Sequence, residues 1–264
     1  MPFTLLPVAE VQPDELAAGK RALVMDAAWA SATGAMSGGV VLLAYALVLG
    51  AGPLQIGLLA AIPFIAQAAQ LPAVVLVERI RQRKRLGVIA VTVARLLILI
   101  MAALPCLAPP EYRLAFLMTA NLAVSVLEAM AACAINSWFH QLFPAEGLGA
   151  FFSKRLLVAS ILGCACILSA GLLIDHPPAG HPLNAYAIVF GAAALAGFAS
   201  SYCLGLTPEP AMAPAPRRAS LRALLRMPMR DPGFRGLLVL LAAWNLAANL
   251  AAPILAVYLM ERLT

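Results

Sequence analysis

Apolar residues run along this chain in long blocks, broken by short polar or basic stretches. A helix needs about 20 predominantly apolar residues to cross a bilayer. Seven blocks reach that length: 27–49, 56–77, 86–108, 114–137, 156–174, 185–206 and 236–259. The breaks are 50–55, a basic turn at 78–85, 109–113, a longer loop at 138–155, a His- and Pro-bearing stretch at 175–184, and 207–235. The last contains Pro208, Pro210, Pro214 and Pro216 followed by spaced arginines, and reads as a linker with a short surface helix around 220–227. The pattern therefore predicts an all-α polytopic membrane protein: an N-terminal segment at 1–26, a six-helix bundle at 27–206, a linker at 207–235 and a seventh transmembrane helix within 236–264.

Within the blocks the polar positions fall into stripes. Asp26, Trp29, Thr33, Ser37 and Tyr45 follow helical spacing on the first helix. The second carries Pro63, Gln67 and Gln70, with Pro72 expected to permit a kink. The fourth aligns Asn121, Ser125, Glu128 and Asn136, and the seventh places Asn245 one turn from Asn249. Polar groups in hydrocarbon face protein or a water-filled cavity, so these residues are the candidates for contacting a solute or a coupling ion. The plainer reading is that they hold helices together by hydrogen bonds. Asp26 sits near a helix end, where it can cap the helix or meet Lys20 and Arg21. Gly34 and Gly38 have the spacing of close helix packing.

Arg95 and Glu128 are the charges deepest within blocks. Arg95 lies nine residues into the third block and Glu128 nine residues before the end of the fourth. At 1.5 Å per residue both are about 13–14 Å deep. Consecutive helices joined by a short loop tend to be neighbours, so the two are expected to pair.

Composition sharpens the class. Of 264 residues 63% are hydrophobic and 11% charged, against about 45–50% and 25% in soluble domains. Eighteen Lys and Arg against twelve Asp and Glu give a formal charge of +6. The basic residues cluster in the breaks, which argues for membrane topology and against nucleic acid as a partner. Fifteen fall on one side: Lys20 and Arg21, five within 79–85, Lys154 and Arg155, and six in the linker; Arg113 and Arg262 fall on the other. The positive-inside rule then sets the N-terminus in the cytoplasm and the end of this chain in the periplasm. Arg greatly outnumbers Lys beside abundant Ala, a usage suggesting a bacterial inner membrane. The five cysteines lie in or beside apolar blocks without a Cys-x-x-Cys spacing, so they read as apolar filler and no metal site is expected.

Three stretches carry a family resemblance. The turn after the second block reads Val74-Val-Leu-Val-Glu78-Arg79-Ile-Arg81-Gln-Arg83-Lys84-Arg85; Glu78, Arg79 and Arg83 occupy acidic-basic positions, while Val74 and Arg81 stand where glycines are usual. Trp138, Pro144, Gly149 and Arg155 follow the fourth block, with Gln141 and Leu148 departing from the usual Asp and Arg. Arg230-Asp231-Pro232-Gly-Phe234-Arg235 leads into the seventh. In order and spacing these resemble the major facilitator superfamily. The resemblance implies two six-helix bundles, each of three-plus-three inverted repeats, rocking about a midplane site. It implies that helices one, two, four, five and seven border the cavity or the interface between halves, with three and six more peripheral. Glu78, Arg79 and Arg83 would form a conformational latch between bundles.

The expected function is secondary active transport of a small solute by alternating access, with a proton as one possible coupling partner and no cofactor. No G-x-x-x-x-G-K-[ST] run is present to bind nucleotide. The competing classes are a non-transporting membrane receptor or assembly protein, and an intramembrane enzyme; neither a H-E-x-x-H helix nor a convergent hydrolytic set is visible. On the family pattern the chain reads as incomplete, its partner being a missing C-terminal half in the same polypeptide or a second copy, and the bilayer its solvent.

Overall fold

The computed structural model describes residues 4–8, 11–142, 148–212 and 229–263, without the side chains at 140, 179 and 248–263. The predicted surface helix at 220–227 and most of the linker lie outside the described residues. Ten α-helices occur among those described: α1 Pro13–Ser37, α2 Gly39–Val48, α3 Pro53–Ala66, α4 Gln70–Ile80, α5 Arg83–Ala102, α6 Leu104–Leu107, α7 Pro110–Leu142, α8 Leu148–Asp175, α9 Pro182–Gly205 and α10 Pro232–Leu263. Five of them, α1, α3, α7, α9 and α10, begin on a proline, whose fixed φ suits the first helical turn and whose missing N–H is not needed there.

Among the described residues six stretches are long and apolar enough to cross a membrane: Pro13–Val48, Pro53–Ile80, Arg83–Ala102, Pro110–Phe139, Leu148–Asp175 and Pro182–Gly205. They occupy the first six predicted blocks, so the chain is an all-helical, multi-pass membrane protein by length and composition. In α10 only the shorter apolar stretch Pro232–Ala247 counts among the described residues.

The boundaries differ for local reasons. The first span begins at Pro13, fourteen residues before the expected start, because Gln12 and Glu15 form a capping box ahead of the apolar run. It is also broken: Gly38 is extended and Gly39 has φ +50, so α1 stops and α2 starts afresh. The second span tightens into a 3-10 turn at Gln67–Ala69. Pro72 explains this, since it has no N–H to donate to the Ala68 carbonyl and its ring crowds that carbonyl. The third span stops at Ala102 rather than 108, and Pro105 sits in the short α6 that follows. The fourth runs on to Leu142 and takes Trp138 out of the predicted loop.

The chain divides into two compact units, Met1–Met212 and Ala213–Thr264. The first holds all six spans. Its boundary falls beyond the predicted bundle end at 206 because the next residues pack back on the helices; Thr207 and Glu209 are buried. Within it α1 lies along α8 and α9, α5 along α7 and α9, and α3 and α4 against α7. Numbered as spans, the principal neighbours are one–five, one–six, two–four, three–four and three–six. Exchanging spans one to three with four to six returns the same set of pairs. The third and sixth spans are packed on each other in the bundle. Tyr45 of α2 stacks on Tyr186 of α9 at 4.8 Å within the main apolar core.

Candidate functional site

A cavity of about 320 Å³ opens within the six-span unit between α1 and α2, α3 and α7. That is at the small end of ligand pockets. Ser37, Gln67, Asn121, Ser125 and Glu128 supply its polar lining; Pro63, Leu42 and Val124 are among its apolar walls. Ser37 Oγ is turned back to the Thr33 carbonyl at 2.8 Å. Gln67 Nε2 donates to the Pro63 carbonyl at 3.4 Å, and its Oε1 accepts from Gln70 Nε2. The Asn121 side-chain nitrogen is buried with no hydrogen-bond partner. Gly34, Gly38 and Gly39 bring the break between α1 and α2 onto the cavity wall.

Arg95 and Glu128 meet. Arg95 Nη1 donates to Glu128 Oε1 at 2.6 Å. The pair is lopsided: the Arg95 side chain is 7% exposed and that of Glu128 47%. Only Glu128 lines the cavity, while the stem of Arg95 lies against Gly197 of α9, where a Cβ would collide with its Cγ, Cδ and Nε. Arg95 Nε is buried without a partner.

Thr33 and Asp26 tie helices. Thr33 Oγ1 reaches the Trp29 carbonyl at 2.9 Å and the Ala193 carbonyl of α9 at 3.1 Å. Asp26 accepts from Ser200 Oγ at 2.7 Å and from Arg155 Nη2 at 3.2 Å, joining α1, α8 and α9. Its partner is therefore Arg155, neither Lys20 nor Arg21. The Arg155 guanidinium also lies over the Phe139 ring at 5.5 Å.

A second polar cluster closes the basic end of the bundle. Glu209 Oε1 accepts the backbone N–H of Arg83 at 2.8 Å and Arg83 Nε at 3.3 Å. A carboxylate at the first N–H of α5 is favoured by the helix dipole. The guanidinium of Arg83 also donates to the Ser137 carbonyl at 3.1 Å, Gln141 Oε1 at 2.6 Å and the Pro210 carbonyl at 3.1 Å. Trp138 Nε1 donates to the Pro208 carbonyl at 2.9 Å. Arg83 thus spends its donors inside the six-span unit. Glu78 and Arg79 stand at the end of α4. Arg81 caps α4 in the left-handed conformation with φ 58.

No family profile matches the chain, and no curated protein or solved structure matches it either.

Of the sequence candidates, the fold gathers Ser37, Gln67, Asn121, Ser125 and Glu128 on one cavity, with Arg95 and Gln70 one hydrogen bond behind it. Asp26, Trp29 and Thr33 lie elsewhere, and Asn136 is exposed away from it. Asn245 donates to the Leu241 carbonyl at 2.8 Å in the second unit, and the Asn249 side chain is outside the described residues. The fifth span does not line this cavity. The packing read from Gly34 and Gly38 is overturned: a Cβ at Gly34 would meet nothing within 4 Å, and one at Gly38 would meet only its own turn. Their place is at a helix break, signalled by the adjacent pair Gly38-Gly39 inside an apolar block. Glu209 and Ser200 were missed. The charge of Glu209 among linker prolines was its only sequence signal.

Proposed function

We propose that the six-span unit is one half of a secondary transporter of the major facilitator type, moving a small solute through a bacterial inner membrane by alternating access. The observation that supports this reading best is the exchange pattern of the spans. A bundle whose neighbour pairs survive swapping the first three helices for the last three is what an inverted repeat of three helices produces. The polar cavity lies between spans one, two and four, and in this reading it is the solute site. A second six-helix half, in the same polypeptide or in another copy, supplies the opposing wall in this reading, and α10 is a further crossing. Glu128 is the coupling residue, its pairing with Arg95 yielding to a proton or to the solute.

Alternating access is tested without knowing the solute. In a cysteine-free background, Ser125→Cys is expected to react with a membrane-impermeant maleimide from each side of inverted and right-side-out vesicles. Reaction from one side only overturns transport and favours a receptor or assembly role.

A further inference from the structure

We propose that the cavity at the break between α1 and α2 binds a small zwitterion, a solute carrying both an ammonium and a carboxylate. This deepens the transport reading and rests on it.

Two independent features point to a carboxylate. The first-turn N–H groups of α2 start afresh inside the bundle, and no side chain caps them. Such groups, with the positive end of the helix dipole, favour an anionic oxygen. Asn121 lines the same cavity, is 7% exposed, and holds a side-chain N–H group that nothing among the described residues accepts. An unmet buried donor is costly, and a ligand oxygen satisfies it. The opposite sign is present too. Glu128 offers a half-exposed carboxylate whose second oxygen Arg95 does not engage.

Net charge selects between solutes. Arg95 and Glu128 already neutralise each other, so a zwitterion enters without adding charge to a poorly solvated site. A lone cation or anion leaves one charge uncompensated there. Asn121 and Glu128 lie on one face of α7, so the donor and the acceptor line the same wall of the cavity.

The test uses the full chain in detergent and reads its thermal unfolding. Four solute mixtures are compared: the twenty standard amino acids, the corresponding amines without carboxylate, the corresponding 2-hydroxy acids without amine, and neutral sugars. Stabilisation by the amino acids alone is expected. In Asn121→Leu the concentration for half-maximal stabilisation is expected to rise about tenfold, the loss of one hydrogen bond to a charged group. The solute-free variant should unfold no lower than wild type, because it loses an unmet donor, which separates lost binding from misfolding. Equal or greater stabilisation by any other mixture, by none of them, or an unchanged response in Asn121→Leu overturns the proposal. If Ser125→Cys still reacts from both sides, the transport reading survives that result; one-sided reaction ends the transport reading whatever the mixtures do.

Discussion

The Arg95–Glu128 pair is asymmetric, and its mutations should be too. Glu128→Leu strands a buried guanidinium with Nε already unmet; removing one partner of a buried pair costs about 3–5 kcal/mol. Arg95→Leu leaves a half-exposed carboxylate and is expected to cost less. The double variant should recover much of the larger loss, measured as coupling in a double-mutant cycle of thermal unfolding. Additive losses would mean the two side chains do not stabilise each other. This pair was legible because depth along a helix is linear in residue number. The partner of Arg83 was not. Glu209 lies 126 residues away in a segment that reads as linker, and nothing in a one-dimensional pattern says which basic residue a distant acid will cap. Glu209→Gln keeps the shape but removes the charge at the start of α5. It is expected to cost about 1–3 kcal/mol, read as earlier unfolding, whereas a purely exposed linker residue would cost nothing measurable.

At the scale of elements, helix existence was visible and helix continuity was not. The apolar blocks located six spans because burial in lipid leaves the backbone no alternative to a helix. Where a span breaks depends on single residues. The first span yields at Gly38-Gly39, where φ +50 is open to glycine. The second tightens next to Pro72. Lengths failed at polar ends, as at Trp138, where an aromatic donor with a buried carbonyl to meet extends α7 past its apolar core. Arg81 adopts a left-handed conformation that glycine takes without strain. Left-handed backbone costs a side-chain-bearing residue roughly 1–2 kcal/mol. Arg81→Gly should therefore stabilise the protein by about 0.5–1 kcal/mol after glycine's greater unfolded-state freedom is subtracted. A lower unfolding temperature for that variant would mean that the Arg81 side chain makes contacts worth more than the strain.

For the whole molecule, orientation rests on charge. The fifteen-to-two division of Lys and Arg across the breaks predicts that cysteines introduced singly at Ala179 and Ala215 label from opposite faces, the first from outside intact cells and the second only after permeabilisation. Labelling of both from outside would require a different number of crossings between them. The exchange pattern of spans could be expected only through the resemblance and not from the hydrophobic pattern itself, because it is a property of which helices touch. Surface stripes such as Leu157, Ile161, Leu168 and Leu172 look alike in sequence whether they meet lipid or protein.

The short pairing of Val8 with the stretch after α9 sets the order in which the protein can be made. Val8 N–H donates to the Glu209 carbonyl at 2.8 Å and the Ala211 N–H donates to Val8 at 3.0 Å. These partners leave the ribosome about 200 residues apart, which at 5–20 residues per second is a wait of roughly 10–40 seconds. Through that interval the start of the chain has no strand to lie beside, and α5 has no carboxylate at its first N–H. Both are supplied at one moment, when the residues following the sixth span emerge. The bundle's basic end is therefore the last part of the six-span unit to close during synthesis, and a nascent chain halted before that point leaves Val8 and the first N–H of α5 without these partners.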